Sequence, residues 1–431
     1  MEGDGKETLP LYHVPWHDDE MAEVLCGNRG SREWFGRGAD ARSISRHHLV
    51  ITVKADMRAI VNSTEDFEAW MRKRTDVSDR LLEKKHRKMA DGAFPFLRAT
   101  FYRWVEQWPE ISSQLADRPG DVLLAVGDLH VENFGTWLDS REHLVWGMND
   151  FDEACELPFT SDLVRLATSA TLAVDEDRLV TDPAEIAALL LKGYRACLKA
   201  GGAPILLEGD TMKLPFALPP GAPENPKEFW AKKLDDKDSP VIKKSELDAE
   251  IVEMFRVAFP PGVKLEYRKQ KKPGGLGSLG RRRFTAVVDN GKTRTAREVK
   301  ALVPSALYWI QDHPAALSQT ASLLQRAIRD PDPYFQIHDC WMLRQLAPDA
   351  VKIELGALPD ENRDKMELAL FQAMGWETAN IHLGSRSPEG LATSLDALAA
   401  AEGADWLAKA ATDMAEITKR DEGEWPKPSD T

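Results

Sequence analysis

The sequence predicts an α+β protein in two lobes, a mostly helical large lobe and a smaller β-rich one. Apolar residues recur three and four apart before Trp108 and again from Met366 onward, as amphipathic helices require. A clear strand-turn-strand pattern is confined to residues 284–303. Between these regions lie two short β-branched runs, each leading into a cluster of acidic residues. At 431 residues the chain can bury more than one hydrophobic core.

Residues 1 to about 45 are polar and rich in glycine and aspartate, which predicts a poorly ordered N-terminal arm. The large lobe is expected over 46–261. Within it, Phe67, Trp70 and Met71, then Phe94, Phe96, Phe101 and Trp104, fall at helical spacing, with interruptions expected at Asp91-Gly92 and at Pro95. Val122 to Val126 and Leu144 to Met148 read as strands. Leu163, Leu166, Ala167 and Ala170 place a helix over 158–174, and another runs from Pro183 to about Ala200 behind a Thr181 or Asp182 cap. Residues 204–240 hold seven prolines and predict a connector or lid rather than a core element.

The β-rich lobe is expected over 262–346. Its centre is a hairpin of Phe284 to Val288 and Lys292 to Val303 around Asp289-Asn290-Gly291, because Asn-Gly favours the turn whose twist matches paired strands. Trp341 to Leu346, which includes Arg344, is a further apolar strand. Residues 347–431 are expected to return to the large lobe as alanine-rich amphipathic helices reaching Thr418.

The composition narrows the function classes. Lys and Arg number 56 against 70 Asp and Glu, a net charge of −14, so the field of the whole molecule opposes nucleic acid and anionic membrane. No apolar run approaches 18 residues, and the first residues lack the basic and apolar regions of a secretory signal. The four cysteines are scattered without a Cys-x-x-Cys spacing, which argues against structural zinc and against a disulfide framework. A cytoplasmic protein is therefore expected. Local basic stretches, Arg268 to Lys272 and Arg281 to Arg283, flank the one glycine cluster.

The chemistry concentrates in Gly127-Asp-Leu-His-Val-Glu-Asn-Phe-Gly135 and Asn149-Asp-Phe-Asp-Glu153. Magnesium prefers one or two carboxylates together with phosphate oxygens. Asn133, Asp150 and Asp152 suit that need, which leaves Asp128 to deprotonate an attacking hydroxyl. Taken singly, such residues commonly cap turns; the joint spacing between two strands favours a metal-phosphate site. Gly275-Leu-Gly-Ser-Leu-Gly280 matches Gly-x-Gly-x-x-Gly, but strands rather than a helix follow it. That context favours a loop covering nucleotide phosphates, with Gly275, Gly277, Ser278 and Gly280 at the phosphates, Lys300 on the next strand, and Arg344 nearby. Asp162 is placed either to cap its own helix, the simpler reading, or to brace the Asp128 loop.

These motifs, with Asp162-Leu-Val-Arg-Leu166 and Val299-Lys300, resemble the bacterial family called domain of unknown function 2252, over roughly residues 85–385. The resemblance implies a protein-kinase-like two-lobed fold near aminoglycoside and choline phosphotransferases, with ATP and Mg2+ as cofactors. It also implies a circular permutation, since here the glycine loop follows the catalytic segment. By the same resemblance Asp128 is the catalytic Asp, Asn133 and Asp150 are metal ligands, and Lys300 contacts phosphate. Departures are the Asp-Phe-Asp motif and the lack of a glutamate partner for Lys300 near Pro304 to Gln311, with Glu298 and Glu354 as candidates elsewhere. His382 stands near a family Ala-His position, and a core histidine is the favoured reading.

The expected function is a Mg-ATP-dependent phosphotransferase acting on a hydroxyl of a small molecule or protein. The alternatives are a nucleotide-binding regulatory pseudokinase and a metal-dependent phosphoesterase. The second needs further His and Asn ligands of the Gly-Asn-His kind, which the sequence lacks.

Overall fold

Helices form where apolar residues fall three and four apart. The computed structural model describes residues 58–207, 225–234, 237–271, 275–291, 293–313, 318–350, 352, 355 and 361–427. The expected arm over 1–45, Gly274, Glu354 and most of the proline-rich segment lie outside these. The chain begins with α1 (Ile60–Arg72), α2 (Asp79–Met89), α3 (Ala93–Ala99), α4 (Phe101–Ile111) and the short α5 (Ser113–Ala116). Phe67, Trp70 and Met71 of α1 are buried, as are Phe94, Phe96, Phe101 and Trp104. Pro95 does not interrupt its helix. It lies in the first turn of α3, where a missing N–H costs nothing because no intrahelical acceptor exists there.

Next come β1 (Val122–Ala125), β2 (Phe134–Leu138), β3 (Leu144–Met148) and β4 (Cys155–Pro158), then α6 (Phe159–Asp175) and α7 (Pro183–Ala200). The β2-β3 pair is a hairpin in the register Phe134↔Met148, with one acidic motif before it and the other after it. The Asp182 side chain accepts the Ala184 N–H at 2.8 Å and caps α7, and Gly201 at φ 77 closes it.

The proline-rich segment is not merely a connector. β5 (Ile205–Leu206) extends the β2-β3 hairpin by pairing with β3, and its Ile205 is buried. α8 (Pro226–Lys233) starts with a proline at its first position behind an Asn225 cap, where proline is tolerated.

A six-stranded antiparallel sheet follows, ordered β10-β11-β9-β8-β7-β6. Its strands are β6 (Val241–Ile242), β7 (Glu266–Lys269), β8 (Arg283–Asp289), β9 (Arg294–Ala301), β10 (Gln336–His338) and β11 (Trp341–Leu346), with α9 (Ala249–Ala258), α10 (Leu307–Ile310) and α11 (Thr320–Arg326) among them. The expected Asn-Gly turn joins β8 to β9, with Gly291 at φ 80. One face buries Phe284, Ala286, Val299, Ala301 and Leu343 against Ile251 and Phe255 of α9. On the other face Val287, Ala296 and Leu346 pack on Phe229 and Trp230 of α8. Side chains alternate along a strand, so Arg283, Glu298, Lys300 and Arg344 share this second face.

The chain closes with α12 (Arg363–Leu383), α13 (Pro388–Glu402) and α14 (Trp406–Glu424), which join the core of the first helices. α7 and α12 cross at paired glycines. A Cβ at Gly193 would lie 1.9 Å from the Gln372 carbonyl oxygen, and one at Gly375 would lie 2.0 Å from that of Leu190. The class is α+β, and no described helix is long and apolar enough to cross a membrane. Cys155 and Cys197 are buried free thiols, whereas Cys340 is disulfide-bonded, against the expectation from cysteine spacing.

Candidate functional site

The site starts at the end of β1, where Gly127 has φ 80 and a Cβ would meet the Glu153 carbonyl oxygen at 2.3 Å. Only glycine fits that turn. The Asp162 carboxylate accepts the N–H groups of Val126 and Gly127 at 2.7 and 2.9 Å. It makes no cap bond to its own helix, so bracing of the loop is the observed role. His382 meets the same carboxylate at 3.0 Å and the Tyr194 hydroxyl at 2.9 Å, fully buried. It is a core histidine and does not line the cleft.

Two further residues on α6 continue this bracing. The Ser169 hydroxyl accepts the Val131 N–H at 3.1 Å, and the Arg165 guanidinium donates to Asp128 at 3.1 and 2.5 Å and to the Leu97 carbonyl at 2.8 Å. Burial pushes the Asp128 carboxyl above its ordinary range, with Arg165 opposing the rise. Asn133 accepts the His130 N–H through its side-chain oxygen at 3.0 Å, and its own carbonyl accepts the Asn149 N–H at 3.0 Å. The first bond shapes the turn within its motif, and the second ties one acidic motif to the other. Burial holds His130 well below its usual range, and therefore neutral, helped by Arg98 and Lys352.

The second motif faces cations. Burial alone would raise Asp150, but Lys300 at 3.8 Å and Lys352 at 3.4 Å, with Arg344 beyond, hold it well below the carboxylate range. Lys300 donates to both oxygens of Asp152, at 2.7 and 2.6 Å. Burial lowers the Lys300 ammonium, and Asp152 and Asp150 oppose this. Glu153 accepts from Arg281 at 3.2 Å and from the Ala306 N–H at 2.8 Å.

The glycine loop spans the turn between β7 and β8 and lies directly over these acids. A Cβ at Gly277 would sit 3.0 Å from an Asp128 oxygen, and one at Gly275 would sit 3.6 Å from an Asp150 oxygen. Gly280, at φ 108, packs on Leu82, and its carbonyl accepts the Ser78 N–H at 2.9 Å, which anchors the loop to the start of α2. Ser278 accepts from Arg283 at 3.2 Å. Asp128, His130, Asn133, Asp150, Asp152, Glu153, Gly275, Gly277 and Ser278 line one pocket together with Arg98, Val126, Leu276 and Lys352.

Among the sequence-derived candidates, Arg344 is held elsewhere: it pairs with Glu298 at 2.8 Å, and Arg283 binds the same carboxylate at 2.9 Å. The two arginines, against burial, bring Glu298 down to about 2. Glu298 is therefore not the partner of Lys300, which is Asp152. Arg165, Lys352, Arg98, Arg281 and Glu153 were missed as site residues. Arg165 had a signal, since it follows Asp162 by one helical turn. Lys352 stands alone in the sequence and had none. Lys85 of α2 lies outside the pocket lining. It is 2% exposed, without a hydrogen-bond or ion-pair partner among the described residues, and burial lowers it to about 8.

Asn133 and Asp150 offer an amide oxygen and a strongly ionised carboxylate to one pocket, with Asp152 beside them. Hard oxygen donors of this kind fit a divalent cation such as magnesium.

Residues 77–213 match a family model described as "Uncharacterized protein conserved in bacteria (DUF2252)". The match covers both acidic motifs, α6 and α7. It is narrower than the expected 85–385 and ends before the glycine loop and Lys300. No curated protein and no solved structure matches the chain.

Proposed function

We propose that this cleft binds a magnesium-nucleotide complex, with ATP the leading nucleotide, and transfers its terminal phosphate to a hydroxyl of a small molecule or protein, as in the protein-kinase-like superfamily. The observation that carries this reading is the approach of the glycine loop to Asp128 and Asp150 over a pocket lined by Asp152, behind which Lys300 is buried. A loop whose glycines bring its backbone over two carboxylates, with a lysine from the adjoining strand, is a construction suited to phosphates and their counterions. Asn133, Asp150 and Asp152 are the residues that would hold magnesium, which supplies charge neutralisation at the phosphates.

The chain's own residues have these roles. Asp128, buried and with its pKa raised, takes the proton of the acceptor hydroxyl. The hydroxyl oxygen bonds to the terminal phosphorus as the bond from that phosphorus to the bridging oxygen breaks. Arg165 fixes the orientation of Asp128, and the loop residues 275–278 that line the pocket would meet the phosphates.

The test is calorimetric titration of ATP and GTP with and without Mg2+, followed by a search for phosphate transfer. Metal-dependent nucleotide binding is the expected result, and absence of binding by either nucleotide overturns the reading. One observation favours the second reading, a nucleotide-binding regulator: Lys300 engages Asp152 rather than a glutamate. Tight Mg-ATP binding without transfer to any acceptor supports that alternative.

A further inference from the structure

Lys300 occupies an unusual position for a residue that is to bind phosphate. Its ammonium, 3% exposed, donates to both oxygens of Asp152 and lies 3.8 Å from Asp150, so a positive charge already sits on two of the three residues suited to the metal. Lys352 adds a second positive charge on the other oxygen of Asp150, at 3.4 Å. A divalent cation on the same carboxylates would be pressed against two ammonium groups in a poorly hydrated cleft, where like charges repel far more than in water. For the metal to enter, Lys300 must give up Asp152.

Leaving a buried ammonium without an anion is costly. The nearest alternative on its own face of the sheet is Glu298, two residues earlier on β9, but Arg283 and Arg344 already hold it. Among the described residues, this face of the sheet therefore offers Lys300 no free carboxylate in exchange. A phosphate under the glycine loop does, since that loop reaches Asp128 and Asp150 with its backbone.

We infer that Lys300 acts as a built-in counter-cation that closes the metal site, so that a divalent metal enters only together with a phosphate-bearing ligand that takes over Lys300. The inference rests on the metal-nucleotide reading above and adds to it an ordering: metal alone is excluded, and the phosphate chain unlocks the carboxylates.

Mn2+ titration followed by electron paramagnetic resonance tests this on the whole chain without any acceptor. The wild type should bind Mn2+ alone at least about tenfold more weakly than Lys300→Gln does. Lys300→Arg, which keeps the charge, should stay as weak as the wild type, a split that a merely structural role of Lys300 would not produce. Mn-ATP is titrated in parallel. Should the wild type bind Mn-ATP while Mn2+ alone binds it and Lys300→Gln equally, the inference is overturned and the metal-nucleotide reading stands. Should the wild type bind neither Mn2+ nor Mn-ATP, both are overturned.

If Lys300→Gln does not fold, as circular dichroism would report, nitrogen-15 resonances of the lysine ammonium groups in the wild type decide. The Lys300 signal should be unmoved by Mg2+ alone and moved by Mg2+ with inorganic tripolyphosphate. Mg2+ binding alone with the Lys300 signal unmoved would show metal and ammonium sharing the carboxylates, and would overturn the inference.

Discussion

On the metal-nucleotide proposal, single side chains in this cleft have separable tasks, and substitution should separate them. Asp128→Ala should leave Mg-ATP binding within a few-fold of the wild type and reduce transfer by roughly 10²–10⁴-fold, the usual contribution of a positioned base. Asp150→Ala should weaken Mg-ATP binding itself, by about tenfold or more; equal loss of binding in the two variants, measured by calorimetry, would refute the division of roles. Asp162 is a structural counterpart. Its loss strands the N–H groups of Val126 and Gly127 and the buried His382, so Asp162→Ala should cost about 3–5 kcal/mol in urea unfolding. Glu377 makes stability depend on pH. Burial raises its carboxyl from 4.5 to about 7, although its oxygens accept from the Met148 N–H and the Asn380 amide. A raised folded pKa means that the native state holds an extra proton between those values, so this contribution is complete below about 4.5 and is lost as pH rises through about 7. Glu377→Gln should flatten the fall in stability between pH 5 and 7; identical slopes in denaturation series at pH 5, 6 and 7 would contradict this. Among these residues Asp128, Asn133 and Asp150 were legible in the sequence because their spacing is local. Arg165, Lys352 and Arg281 were not, because what gives them meaning is contact with carboxylates 37, 202 and 128 positions away.

Secondary-structure elements were most legible where a period and a terminator coincided. α7 has its periodicity, its Asp182 cap and its Gly201 stop, and the β8-β9 hairpin has its Asn-Gly turn. β5 and α8 were hidden because proline density suppressed the reading, although a strand of two residues and a helix begun by proline are both compatible with it. Strand pairing beyond that hairpin was not legible, since β11 reaches β9 across residues that carry no pairing code of their own. The crossing of α7 and α12 was equally hidden. It depends on two glycines that sequence reading treats as weak points in a helix. Gly193→Ala puts a methyl group into the Gln372 backbone and should cost about 3 kcal/mol or more, since neither helix can retreat from a fully packed contact. Gly423→Ala in α14 meets nothing within 4 Å and should be neutral or stabilising by up to about 1 kcal/mol. Similar melting temperatures for the two variants would count against this account of the crossing.

For the molecule as a whole, the proposed ligand would engage the six-stranded sheet and the helical core together, through Lys300 and the glycine loop on one side and the acidic motifs on the other. Saturating Mg-ATP should therefore raise the melting temperature of one cooperative transition, with a stabilisation of about 2.7 kcal/mol when the ligand is present at 100 times its Kd. A shift confined to one of two separate transitions would show that the ligand binds to one half only. The −14 net charge was legible in the sequence, but the concentration of basic side chains in this cleft was not, because Arg165, Arg281, Lys300 and Lys352 come from distant segments. The ion pair of Lys300 with Asp152 spans 148 residues, and the lysine comes second. On the ribosome, at about 5–20 residues per second, Asp152 emerges roughly 7–30 s before the ammonium that neutralises it. Until then the carboxylates of the acidic motifs lack Lys300, Lys352 and Arg281, and folding them into an apolar interior is costly. The nascent first half thus carries acidic charge that only the later-emerging segments neutralise.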